Sequence, residues 1–128
     1  MIISGSYASF LRGEAAGFGD VDMFGSEADF ERLLALSSCL GGRGLHGRHM
    51  ARLNGLTIDY QTDEWVSVKM LMQMGDHTPH DFYGLPCLIA NPEVVRVARA
   101  VWQGRIPATN LVKWRDQLIA DRAYFSCS

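Results

Sequence analysis

A chain of 128 residues fits a single domain with a modest core. Its 48% hydrophobic and 20% charged residues exclude intrinsic disorder. A formal net charge of -2 excludes a general attraction to nucleic acid or to anionic membrane, so a polyanionic ligand has to be held locally.

The opening "MIISGSYASF" has no basic n-region and no long apolar core, unlike a signal peptide. No apolar run approaches the roughly 18 residues that cross a bilayer, so no membrane partner is expected. Cys39, Cys87 and Cys127 lack framework spacing and read as reduced thiols of a cytoplasmic protein.

In chain order, "MIIS" is a short apolar run ending at Gly5-Ser6, which predicts a buried strand, then a turn, with "YASFLR" opening a short helix. "DVDMF" alternates as a strand: Val21 and Met23 point one way, Asp20, Asp22 and Phe24 the other. "SEADFERLLALSSCL" follows as a helix with Ser26 as N-cap and acids at 27, 29 and 31 favouring its positive end. Its apolar stripe is Phe30, Leu33, Leu34 and Leu40, and Gly41-Gly42 ends it.

"HMARLNGLTIDYQT" places Asn54-Gly55 between two strand-like runs, a strong hairpin signal. In its second arm Thr57, Asp59 and Gln61 share one face, and Ile58 and Tyr60 the other. "DEWVSVKMLMQM" predicts a helix with an apolar face of Trp65, Val68, Leu71 and Met72, and "GDHTPHDFYGLP" a loop, with "CLIA" a short strand. "NPEVVRVARAVW" is a helix with Asn91 as N-cap and Pro92 at its first position. "PATNLVKWRDQLIADRAYF" reads as a last helix. The expected fold is α/β in the broad sense (α+β): one domain over 1–128, with a motif-bearing sheet core in 1–63 and a mainly helical completion in 64–128.

All three strand acids fall in the first half. Asp20, Asp22 and Asp59 on neighbouring strands, on one face, repel one another unless a cation sits among them. Mg²⁺ suits them, because hard cations take oxygen ligands and Mg²⁺ keeps positions open for phosphate oxygens. Acids at i and i+2 can bridge two ions about 4 Å apart, the arrangement used for in-line displacement at phosphorus. A helix opening at Gly5-Ser6 would offer N–H groups and a hydroxyl to a phosphate.

"ISGS", a gap of thirteen residues, "DVDM" and then "IDY" resemble the nucleotidyltransferase superfamily of the DNA polymerase β type, over residues 1 to 61. So compact a chain is most similar to its minimal stand-alone members, found in bacteria, archaea and bacteriophages. The resemblance implies a mixed central sheet flanked by helices. It also implies Gly5 and Ser6 as the grip on ATP or another nucleoside triphosphate. Asp20 and Asp22 would hold two Mg²⁺ ions, and Asp59 would be the third metal-binding and catalytic carboxylate. The implied reaction moves a nucleoside monophosphate to an acceptor hydroxyl on a protein, RNA or small molecule, releasing pyrophosphate. One departure stands: Tyr7-Ala8-Ser9 follows the Gly-Ser pair where minimal members often carry a basic residue, and the first basic residue is Arg12.

Other patterns are weaker. His46, His49, His77 and His80 lack zinc spacing and read as loop histidines. Arg43, Arg48 and Arg52 cluster around the hairpin, where a charge run is usually a solvated face. The Met-rich "KMLMQM" reads as core filler. The rival to an enzyme is a catalytically silent binding module with a protein partner, as an inhibitor, an antitoxin-like protein or a phage host-interaction protein. A nucleic-acid partner is not indicated by the charge.

Overall fold

A computed structural model describes residues 1–36, 40–44, 47–63 and 67–102. Their elements run β1 (Ile2–Ser4), α1 (Gly5–Leu11), β2 (Val21–Phe24), α2 (Glu27–Leu34), β3 (Leu40–Gly42), β4 (Arg48–Leu53), β5 (Leu56–Gln61), α3 (Val68–Met72), β6 (Thr78–Phe82), β7 (Leu85–Ile89) and α4 (Pro92–Trp102). The fold is mixed α/β, with a seven-stranded sheet in the order β3-β4-β5-β2-β1-β7-β6. β1 pairs parallel to β7 and β2 parallel to β5, and the other neighbours are antiparallel.

Period-two alternation gives this sheet two unlike faces. Ile3, Met23, Tyr60, His49 and Ile89 are linked by cross-strand pairing and point to one face. α2 packs there, with the Phe30 ring 5.0 Å from Tyr60 and 4.7 Å from His49. The opposite face carries Ile2, Phe24 and Leu88, and beside them Ser4, Asp22, Asp59 and Gln61. Further out lie Arg48, Met50 and Arg52, all exposed. α4 lies over this face, where Val95 and Ala98 line a cavity together with Phe24 and Ser4.

Local signals set several boundaries. Ser26 Oγ accepts from Asp29 N–H at 3.0 Å and caps α2 as its sequence predicts. Asn91 Oδ1 accepts from Val94 N–H at 2.9 Å, starting α4 at Pro92. Asn54 and Gly55 take φ of 50° and 79°, the paired positive values of a tight hairpin turn.

Four expectations need correction. Helix α1 opens at Gly5 itself, with no turn before it. Helix α2 ends at Leu34, and Leu40 to Gly42 form edge strand β3 against Arg52 to Met50. Gly41 permits this pairing, because a Cβ there would collide with the Met50 carbonyl. Helix α3 spans only Val68–Met72, Met72 is 42% exposed, and Trp65 lies outside the described residues.

The fourth concerns the expected loop at 75–86, which contains β6, so the second half adds a hairpin to the sheet as well as helices. Leu88 gives its N–H to Met1 at 3.0 Å, away from β6. The pairs Pro79–Leu88 and Asp81–Pro86 are therefore ones that exchange no ladder bonds, and proline costs nothing there. The expected last helix and Cys127 fall in 103–128, outside the described residues, as do Cys39 and His46. Cys87 is a free, buried thiol.

Candidate functional site

β2 and β5 run parallel, and their register sets Asp22 directly beside Asp59, with Ser4 of β1 on the other side of Asp22. Asp20 sits two residues upstream, exposed, in the bend that feeds β2. It lies close enough to Asp59 to raise that residue's pKa. The three aspartates predicted from the sequence are thus brought together on one face.

Their mutual cost is visible in their acidity. Burial pushes the Asp22 carboxyl up to about 6; the charges of Asp59 and Asp20 add to the rise and Arg99 opposes it. Asp59 is raised too, by burial first and then by the neighbouring Asp20, against Arg48. Among the described residues, no three His, Cys, Asp or Glu side chains form a ready-made metal-holding group.

Gly5 is what admits Asp22 to this position. It has φ of 63°, and a Cβ on it would fall on Asp22 Oδ2. Glycine thus serves both a left-handed backbone and a close side-chain approach. Ser6 Oγ accepts from Gly19 N–H at 3.2 Å, tying the start of α1 to the loop that delivers Asp20. The hydroxyl proton of Ser6 stays available to a further acceptor.

Beside the acids lies an open cavity of about 230 Å³. Gly5, Ser6, Asp22 and Arg99 line it, and so do Ser4, Phe24, Gln61, Val95 and Ala98. Ser4 is 1% exposed, and its Oγ has no hydrogen-bond partner among the described residues even though Ser4 occupies the N-cap of α1. Gln61 is 6% exposed. Sequence reasoning placed Gln61 on the acid face but gave it no role, and it missed Ser4 and Arg99. The register of β1 against β2 identifies Ser4; Arg99 has no local signal, because only the packing of α4 brings it near Asp22.

The donor set suits a hard cation in chemistry: carboxylate oxygens of neighbouring acids, with the Ser6 hydroxyl close by. The other clusters are structural. His49 is buried on β4, not in a loop; its Nδ1 accepts from Gly44 N–H at 3.2 Å and its Nε2 lies 2.7 Å from Glu27 Oε1. His77 Nδ1 accepts from Asn91 N–H at 3.3 Å while its Nε2 lies 3.0 Å from the Leu71 carbonyl. Both rings are thereby committed on both nitrogens. His80 also sits on a strand, β6. Arg43 pairs with Glu27 and Glu31 of α2, apart from the acid face.

No helix of the described residues is long and apolar enough to cross a membrane. The chain matches no family model, no curated protein and no solved structure.

Proposed function

We propose that this protein is a Mg²⁺-dependent nucleotidyltransferase that moves a nucleoside monophosphate from a nucleoside triphosphate to an acceptor hydroxyl. The observation that carries this reading is the gathering of Asp20, Asp22 and Asp59 beside a cavity that Gly5, Ser6, Asp22 and Arg99 line. A solvated strand end would not need the burial of Asp22.

In this reading Asp20, Asp22 and Asp59 hold Mg²⁺. Bound there, the ion supplies charge neutralisation for the phosphate oxygens. The chain does the rest by positioning. Gly5 and Ser6 hold the phosphates through backbone N–H groups and the Ser6 hydroxyl proton. Arg99, exposed at the cavity mouth, adds a side-chain cation for the same oxygens. Gly5 keeps Asp22 within reach of them. Asp59 takes up the acceptor proton. The acceptor oxygen forms a bond to the α-phosphorus, the α–β bridging bond breaks, and pyrophosphate leaves with its electron pair.

Label tracing tests the reaction. With Mg²⁺ and a cell extract as acceptor source, an α-labelled triphosphate should pass label to a protein, RNA or small molecule, and a γ-labelled one should not. Transfer of the γ label would make the enzyme a phosphotransferase. Binding of nucleotide without transfer of either label would favour the silent binding module.

A further inference from the structure

His77 and His49 share a hydrogen-bond pattern, and the difference between their partners gives His77 a separate role. In each ring Nδ1 accepts from a backbone N–H, that of Gly44 for His49 and that of Asn91 for His77. Such a nitrogen carries a bare lone pair. The proton of the neutral ring is then on Nε2, where His49 meets the Glu27 carboxylate and His77 the Leu71 carbonyl. Each ring is therefore fitted as one neutral tautomer. A second proton on His49 is matched by the charge of Glu27. On His77 both partners are backbone groups, so a second proton meets no carboxylate there and sets Nδ1–H against Asn91 N–H.

The start of α4 hangs on this bond, because Asn91 commits every polar group it has. Its N–H goes to His77, its Oδ1 accepts from Val94 N–H at 2.9 Å, and its carbonyl accepts from Val95 N–H at 3.1 Å. Its Nδ2 donates to the Met74 and Asp76 carbonyls at 2.8 and 3.3 Å. Gly75 admits that amide: its φ is 97°, and a Cβ on it would lie 2.8 Å from Asn91 Nδ2. The turn after α3 and the first turn of α4 thus form one clamp, and His77 closes it. From this start α4 carries Val95, Ala98 and Arg99 to the cavity.

His77 is partly exposed, so protons reach it from solvent. The charged and titratable side chains on the elements that meet here are Lys69 on α3, Asp76 in the turn, His80 and Asp81 on β6, Cys87 on β7 and Glu93 on α4. Arg12 joins them at the Ala90 carbonyl. The acids among them attract a proton to the ring, and the bond from Asn91 N–H opposes it. Histidine is the side chain that changes charge between pH 5 and 8.

We propose that His77 is a proton-operated latch. Neutral, it holds the first turn of α4 against the end of α3; protonated, it lets that turn loosen, and with it the α4 wall of the cavity. The inference does not depend on the reaction proposed above.

Nitrogen NMR of the His77 ring and amide hydrogen exchange, each compared between pH 7.5 and pH 5, test it. The readout is local, because the Asp22 carboxyl shifts global stability the other way over the same range. Asp22→Asn protein is measured beside wild type to separate the effect of that acid. At pH 7.5 the ring should show a bare Nδ1 and a protonated Nε2. On acidification both nitrogens should carry protons. Protection of the Asn91, Val94 and Val95 amides, corrected for intrinsic exchange, should fall about tenfold with the same midpoint in both proteins. His77→Asn, whose side-chain oxygen can accept from Asn91 N–H and takes up no proton, should keep that protection at both pH values. A bare Nε2 at pH 7.5, or a ring still neutral at pH 5, would overturn the latch. So would a ring that gains its second proton while the three amides stay protected, or a loss of protection in His77→Asn equal to that of wild type. If His77→Asn does not fold, the ring and amide readings of wild type decide alone.

Discussion

The two faces of the sheet are made by the same strands and differ in almost every physical respect. In β2, Val21 and Met23 go to a dry face closed by α2, and Asp22 between them goes to a face open beside α4. In β5, Ile58 and Tyr60 are fully buried, and Asp59 between them stays partly exposed. On the closed face polar groups are satisfied internally: Tyr60 donates to the Ser26 carbonyl at 2.8 Å, and His49 uses both nitrogens. On the open face three carboxylates crowd together and a serine hydroxyl has no partner among the described residues. One face stabilises the fold. The other holds the Asp22 and Asp59 carboxyls at raised pKa.

That contrast predicts opposite responses to substitution. The largest effect belongs to the closed face: Phe30→Ala should cost about 3–5 kcal/mol in denaturant unfolding, since its ring is wholly buried against Tyr60 and His49. A loss under about 1 kcal/mol would mean that α2 is not a core element.

Next comes Gly5→Ala, which forces a left-handed backbone on alanine and drives its Cβ into Asp22. It should destabilise by roughly 1–3 kcal/mol and displace the Asp22 carboxylate, so on the proposed reading Mg²⁺ affinity should fall as well. Unchanged Mg²⁺ binding would show that Gly5 does not position Asp22.

Asp22→Asn should move the other way. The Asp22 carboxyl titrates near 6 in the fold against 3.8 in the unfolded chain. Between those values the folded state holds the proton more tightly, so stability falls as pH rises from about 4 through about 6 and is level above. Two pH units amount to about 3 kcal/mol at most, reduced by the solvent that reaches this face. Without divalent ions, wild type should therefore melt lower at pH 7.5 than at pH 5. Asp22→Asn should raise the melting temperature at pH 7.5 and flatten the profile. A flat wild-type profile would show that the acids are not strained.

The smallest effect should come from Met50→Ala on the open face, at 51% exposure, within about 0.5 kcal/mol of wild type. A larger loss would mean that this part of the face is covered.

What the sequence made legible was local. Alternation in "DVDMF" and "LTIDYQ" sorts acids from apolar residues, Asn54-Gly55 fixes the hairpin, and Asn91-Pro92 starts α4. The register that sets Asp22 beside Asp59 follows from a parallel pairing of strands more than thirty residues apart, and no local pattern encodes it. Glycine and proline misled in two places for the same reason. Gly41-Gly42 looks like a helix stop and Pro79 like a loop, yet each pairs at a sheet position its chemistry tolerates. The aspartates could be found by their charge, whereas Ser4, Gln61 and Arg99 become site residues only through strand order and the placement of α4.

The most direct test of the account is thermal unfolding of wild type and the Asp20→Ala/Asp22→Ala double variant, each with Mg²⁺ and with every nucleoside triphosphate. Ligand that binds only the folded state raises the melting temperature by mass action. The account predicts a Mg²⁺-dependent rise with nucleotide in wild type and none in the folded double variant. An equal rise in both proteins, or no rise in either, would contradict it.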